Sequence, residues 1–176
     1  MARQPFCIST DRLVLREFEA QDAESLYALN SDPDVLRYTG DDPCPDVKAA
    51  ADFIAAYNHY REHGFGRWAV VTRDDDAFMG FCGLRRNPAD GSVDLGFRLF
   101  RNYWARGYAT EAAQAALQAG FERFHLEEIT GRAMRENLPS ITVLQKLGMR
   151  FSAVTEERGL IWLVYVISKE RFDRAG

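Results

Sequence analysis

At 176 residues the chain has the length of one domain, so residues 1–176 are expected to form a single domain. A chain of this size can bury roughly 70% of its unfolded surface without help from disulfides or metals. The formal net charge of −4 lacks the basic footprint of a general nucleic-acid binder, and no run approaches ~18 apolar residues, so neither nucleic acid nor membrane is an expected partner. A mildly acidic surface suits an amine.

Cys7, Cys44 and Cys82 are odd in number, far apart and never in a CxxC spacing, which indicates neither a disulfide framework nor a zinc knuckle. Met1-Ala2-Arg3-Gln4-Pro5-Phe6 lacks the apolar core of a leader, so a reducing, cytoplasmic setting is expected.

Thr10 to Arg16 alternates apolar and polar side chains through Leu13 and Leu15 and predicts a first strand. Asp22 can cap a short helix carrying Ala23, Leu26 and Tyr27 on one side. Val47, Ala50, Ala51, Ile54 and Tyr57 recur at helical spacing and predict a second helix running to about His63. Trp68 to Thr72, Phe78 to Leu84 and Val93 to Leu99 are strand-like, and the short turns between them predict an antiparallel meander.

Ala113, Ala116, Leu117, Gly120, Phe121 and Phe124 then form one apolar stripe of a long helix, followed by a strand from Ile129 to Met134. Strand, helix, strand in that order predicts a right-handed crossover to a parallel neighbour. Pro139 opens a short helix that Gly148 closes, and Phe151 to Thr155 and Leu160 to Ile167 supply two last strands, the second apolar on both faces and therefore interior. The expected class is mixed α/β.

Arg101 to Thr110 lies between a strand and the long helix, where free main-chain N–H groups and the helix dipole attract an anion. Small residues at Gly107 and Ala109 let a diphosphate approach the main chain, although a tight turn needs glycine too. The segment has neither the GKS ending of a nucleotide P-loop nor the GxGxxG of a dinucleotide fold.

Several motifs in order resemble the GNAT N-acetyltransferases, in particular the RimJ/RimL-like branch that includes acetylases of ribosomal-protein N-termini. They are Thr10-Asp11-Arg12-Leu13-Val14-Leu15-Arg16, Gly80-Phe81-Cys82-Gly83-Leu84, Val93-Asp94-Leu95-Gly96-Phe97, Tyr103-Trp104-Ala105-Arg106-Gly107-Tyr108-Ala109-Thr110-Glu111-Ala112, Asn137-Leu138-Pro139-Ser140 and Lys146-Leu147-Gly148-Met149. The resemblance implies a GNAT fold: a mixed, mostly antiparallel central sheet, splayed near the cofactor, with helices on both faces. It implies acetyl-CoA as co-substrate, with Arg106, Gly107, Tyr108, Ala109 and Thr110 cradling its pyrophosphate and Phe97 to Leu99 beside pantetheine. Asn137, Ser140 and Lys146 are further cofactor contacts, and Arg101 is a candidate for a phosphate.

Acetyl transfer to an amine needs a neutral nucleophile, a stabilised thioester oxygen and a proton for the departing thiolate. A lysine-like amine is only about one part in 10³ neutral at pH 7, whereas an α-amine near pKa 7.7–8.0 is roughly a tenth neutral. By the resemblance, Asp94 holds the place of a carboxylate base acting through water. It shares its strand face with Gly96, whose missing side chain leaves room for a ligand, and Glu156 and Glu157 are competing bases. Glu111 instead favours the helix N-terminus electrostatically.

The tyrosine acid common in the superfamily is replaced by Leu144, and Ser140 takes the acid role in the RimJ/RimL-like pattern, with Tyr165 and Tyr108 as alternative donors. His59 and His63 lack a third ligand, so no metal site is expected. The expected activity is acetyl transfer from acetyl-CoA to a primary amine, a protein N-terminus or a small molecule, in a ternary complex, by a monomer or homodimer. The acceptor region is roughly Asp32 to Gly66, where Tyr38, Asp41 and Asp42 can meet a cation. The alternative is a non-catalytic acyl-CoA sensor, motivated by Leu144 and Ala105.

Overall fold

The computed structural model describes residues 5–175, so Met1 to Gln4, the start of the segment screened for a leader, lie outside the described residues. β1 (Cys7–Ser9) and β2 (Leu13–Arg16) form a first hairpin. Leu13 and Leu15 are both buried, as alternation requires of a strand with one wet face.

Asp22 stands immediately before α1 (Ala23–Ser31), but its side chain does not cap that helix. Buried, it accepts from both Arg16 Nη atoms at 2.8 and 2.9 Å and from the Glu19 N–H at 2.8 Å. A carboxylate taken out of water must be paired, and this demand outranks capping.

α2 (Pro33–Leu36) follows at once, and the helix expected from Val47 to His63 is two pieces, α3 (Val47–Ala56) and α4 (His59–His63). The chain turns extended at Tyr57. The break brings the hydroxyls of Tyr57 and Tyr60 onto one residue: Tyr57 accepts from the Arg67 N–H at 2.8 Å and Tyr60 donates to the Arg67 carbonyl.

β3 (Arg67–Thr72), β4 (Phe78–Arg86) and β5 (Val93–Leu99) are the predicted meander. α5 (Tyr108–Gln118) extends into a π-turn over Ala119–Arg123, and β6 (Glu128–Met134) returns parallel to β5. α6 (Leu138–Lys146), β7 (Arg150–Glu157), β8 (Leu160–Ser168) and α7 (Lys169–Ala175) complete the chain.

Among the described residues eight strands form one sheet in the order β1-β2-β3-β4-β5-β6-β8-β7, antiparallel at every junction except β5 with β6. β8 is interior, as its two apolar faces predicted. α5 packs on β4 and β5 while α6 and α7 cover β6 and β8 on the same face; α1, α2 and α3 lie across the other. The core between sheet and α5 joins Leu84, Leu95, Ala112, Ala116, Leu117, Phe121 and Ile129, all buried. Among the described residues no helix is long and apolar enough to cross a membrane.

Candidate functional site

The one parallel junction is also the shortest. β5 and β6 pair only at Asp94 with Thr130 and Leu95 with Gly131, after which the paired register ends and the two strands part. Gly96 to Leu99 and Arg132 to Met134 therefore leave main-chain groups facing a gap in the middle of the sheet. The sheet is splayed where the sequence led one to expect a cofactor.

At the end of β5 the chain makes a short turn over Arg101–Tyr103 and enters α5 through Ala105 and Gly107, both at positive φ (57° and 81°). Two left-handed residues in three fold the main chain so that the first N–H groups of α5, which have no intrahelical acceptor, point out of its end. A Cβ at Gly107 would meet only Arg12 Nη2, at 3.4 Å, so the main chain there is open to a ligand. Trp104 donates its indole N–H to the Leu99 carbonyl at 2.8 Å, tying the loop to the last residue of β5.

A clamp from the opening strand region holds the other side. Glu111 accepts from Thr10 Oγ1 at 2.6 Å, from the Arg12 N–H at 3.0 Å and from Arg12 Nε at 2.6 Å. Arg12 Nη1 donates to the Arg106 carbonyl at 3.0 Å, and its guanidinium lies 4.2 Å from the Tyr108 ring centroid. Burial raises the Glu111 carboxyl, but the bonds from Thr10 and Arg12 outweigh it and hold the group below its usual range. Glu111 is thus more than a charge beside a dipole. It splices the opening motif to the loop, and the guanidinium of Arg12 satisfies the Arg106 carbonyl.

Asp94 faces away from α5, between Arg85 on β4 and Thr130 on β6. Gly96 does not leave an open pocket: a Cβ there would sit 2.5 Å from Arg67 Nη2 and 2.6 Å from Arg67 Cζ. Arg67, Gly83 and Gly96 are cross-strand partners in one row, and the two glycines let the Arg67 side chain lie flat across the sheet. Its Nη1 donates to the carbonyls of Gly83 (2.5 Å) and Asp94 (2.9 Å), and its Nη2 pairs with the Asp94 carboxylate. Arg85 Nε adds a longer contact at 3.4 Å. Burial pushes the Asp94 carboxyl up, but the two guanidiniums, Arg67 foremost, prevail and hold it below the ordinary carboxylate range.

Across the gap, the Asn137 side chain accepts from the Ser140 N–H at 3.2 Å, capping α6, and its amide nitrogen has no partner among the described hydrogen bonds. Ser140 is half-buried in the first turn. Leu144, where the tyrosine acid is absent, is 1% exposed, and its Cδ2 lies 2.8 Å from where a Cβ on Gly131 would stand. It is a core residue fitted to a glycine.

Of the remaining candidates, Phe97 is half-buried against the core and Leu99 is buried. Arg106 and Lys146 are exposed, Lys146 in the last turn of α6. Arg101 is engaged by Asp32 (3.1 Å) and Asp34 (2.7 Å). Glu156 and Glu157 lie on exposed β7, and Glu157 pairs with Arg132 at 2.7 Å. Tyr108 packs edge-on against Tyr103, and Tyr165 is buried. His59 and His63 stack edge to face, and no metal-holding cluster occurs among the described residues. Cys82 is buried, and burial pushes its thiol up to about 12, far from a reactive thiolate.

One of the residues expected to meet a cation already has a partner. Arg98, on the Asp94 face of β5, binds Asn30 Oδ1 at 2.6 Å and Asp41 at 2.5 Å, so Asp41 is already paired. Gly40 sets that segment against Leu160 and Trp162, where a Cβ would come within 3.3 Å of each. The buried Trp162 indole N–H there has no hydrogen-bond partner among the described residues.

Sequence reasoning passed over Arg12, Arg67 and Arg98. The signal for Arg67 was present: glycines on two strands of the meander, in register with an arginine at the start of the third, leave a lane for its side chain.

The description "Acetyltransferase (GNAT) domain" matches residues 12–150. The chain is 32% identical to the uncharacterised N-acetyltransferase p20 of Bacillus licheniformis over 95% of this chain and 97% of that one. Its fold is similar to that of a GNAT-family acetyltransferase from Bacillus anthracis, with a TM-score of 0.80 and 26% identity over 94% and 99% of the two chains. A protein from Vibrio cholerae described as a "putative ribosomal-protein-serine acetyltransferase" shares the fold at a TM-score of 0.77 and 23% identity, over 93% and 97%.

Proposed function

The chain belongs to the GNAT acetyltransferase family, and we propose that it moves the acetyl group of acetyl-CoA to a primary amine by direct attack while both substrates are bound. The observation that carries this reading is the meeting of two features. The sheet opens after Leu95, and the open N–H row of α5 begins at the far end of the same strand. Acetyl-CoA supplies an activated acyl group on a thiol, and the chain's own part is to hold it, exclude water and manage protons.

In this reading the main chain from Arg106 to Thr110 holds the pyrophosphate. Phe97 and Leu99 border pantetheine, the free amide nitrogen of Asn137 donates to it, and Lys146 serves a phosphate. Ser140 gives a proton to the departing thiolate. Its place in the first turn of α6, beside the gap and next to its own N–H cap, supports the assignment.

Asp94 takes the amine's proton through water. Its two arginine neighbours make it a weak base, and they also make its surroundings net positive, two guanidiniums to one carboxylate. Nearby positive charge lowers an amine's own pKa. Such a site favours an acceptor that loses its proton easily, an α-amine rather than a lysine or polyamine. The fold shared with the Vibrio cholerae protein is in keeping with a protein N-terminus as acceptor and with the RimJ/RimL-like branch. A cytoplasmic setting is supported by three free cysteines among the described residues.

Calorimetric titration tests the donor half. Acetyl-CoA should bind at least ~10-fold more tightly than acetyl-pantetheine, which lacks the pyrophosphate, because several charge-assisted hydrogen bonds are lost with it. Equal affinity for the two would remove the loop from the site.

A further inference from the structure

The two edges of the sheet are unlike. β1 is three residues long, and the turn that joins it to β2 carries the clamp to α5. β7 is eight residues long, and all eight are exposed. Neither proline nor lysine interrupts Arg150-Phe151-Ser152-Ala153-Val154-Thr155-Glu156-Glu157. An edge of that length with a free ladder is a template for another strand, which proteins ordinarily blunt.

The one irregularity in β7 sharpens the point. A register shift lies between Phe151 and Ala153. Residues three apart in a regular strand face opposite ways. Here Phe151 stands opposite Tyr165 and Val154 opposite Leu163, and those two β8 residues are two apart on one face. The bulge therefore puts Phe151 and Val154 side by side on the α6 face, 56% and 51% exposed. The ring of Phe151 sits edge-on to that of Tyr165, at 6.0 Å.

The end charges select the occupant. Arg150 opens the strand and Glu156 and Glu157 close it, and neither Arg150 nor Glu156 has an ion pair among the described residues. Antiparallel pairing of β7 with its own copy, about a two-fold axis normal to the sheet, sets Arg150 of each copy beside the acidic end of the other. It keeps both α6 faces on one side, so Phe151 and Val154 of one copy join those of the next in a single apolar strip.

We propose that the protein is a two-fold homodimer joined by antiparallel pairing of β7 with the β7 of a second copy, the two sheets running on as one. The interface lies at the far edge from β2 and α5 and leaves the gap between β5 and β6 open in each copy. It does not depend on the chemistry assigned to that gap.

Sedimentation velocity on the full chain, from ~1 to ~100 μM, a range that brackets weak and stable specific interfaces, tests this. The expected species has twice the mass of one chain. Val154→Lys, which sets like charges face to face, should raise the dimer dissociation constant at least ~10-fold without changing the melting transition of the monomer. Arg150→Glu should do the same, and adding Glu156→Arg to it should restore the dimer, because the swap rebuilds the pairing across the axis. A wild-type protein of single-chain mass up to the highest concentration overturns the proposal. So does a dimer that tolerates both single variants.

Discussion

The guanidinium of Arg67 crosses the sheet over two glycines to close on the carboxylate of Asp94. Among the described residues every polar contact of that side chain is to the main chain or to Asp94, and its own backbone is gripped by Tyr57 and Tyr60. The pair is both a piece of architecture and the setting in which any chemistry at Asp94 must occur.

Breaking it should change the pH profile in a set direction. Asp94 serves as base only when ionised, and Arg67 keeps it ionised to lower pH than an ordinary aspartate. In Arg67→Gln, burial acts with less opposition, the Asp94 carboxyl rises, and the acidic limb of kcat/KM should move to higher pH. A limb that stays in place would show that Asp94 is not the group being titrated.

Asp94→Asn should lower stability by about 2–3 kcal/mol at neutral pH, since it strips Arg67 of its partner in a mostly buried site. The native contribution is full above the ordinary aspartate range and is lost as pH falls through the depressed folded value. Denaturant melts of wild type and variant should therefore differ most near neutrality and converge on acidification. If Asp94 is the base, kcat/KM also falls by ~10²-fold or more.

Gly96→Ala places a methyl group within 2.6 Å of the Arg67 guanidinium carbon without disturbing the main chain. Arg67 must lift off, so this variant should copy Arg67→Gln in its pH profile and cost about 1–3 kcal/mol in thermal or chemical melts. A neutral outcome would mean that Arg67 holds no fixed place.

At the loop, Arg12→Ala frees the Arg106 carbonyl and loosens Glu111. The KM for acetyl-CoA should rise ~10-fold, about one charge-assisted hydrogen bond, while turnover of acetyl-pantetheine is unchanged. An equal loss with both donors would mark a general structural role instead.

Ser140→Ala and Asn137→Ala separate proton donation from capping. Loss of the cap in Asn137→Ala should cost about 1 kcal/mol of stability, whereas Ser140→Ala should leave melting unchanged and lower kcat by ~10²-fold if its hydroxyl protonates the thiolate. Full turnover in Ser140→Ala would send the acid role elsewhere.

Much of this was legible in the chain because the rules that govern it are local. Alternation at Leu13 and Leu15, the stripe from Ala113 to Phe121 and the glycine-bearing loop before Tyr108 each declare themselves within a few residues. What stayed hidden depends on partners far apart in sequence. Asp22 looked like a cap until Arg16 was seen to bury it, and the helix through Tyr57 looked continuous until Arg67 required both tyrosines. Gly96 looked like room for a ligand because nothing local shows that a side chain 29 positions earlier fills it. Leu144 looked like a lost acid, and the packing against Gly131 explains it as core.

Acyl transfer is read out by the release of free thiol from acetyl-CoA. The protein should be incubated with acetyl-CoA and, in turn, N-terminal peptides, small primary amines, lysine side-chain mimics and polyamines. Thiol release should depend on amine, be greatest for weakly basic α-amines and be lost in Asp94→Asn. Tight binding of acetyl-CoA with no amine-dependent thiol across the whole panel would contradict acyl transfer and leave a binding protein in an enzyme's fold.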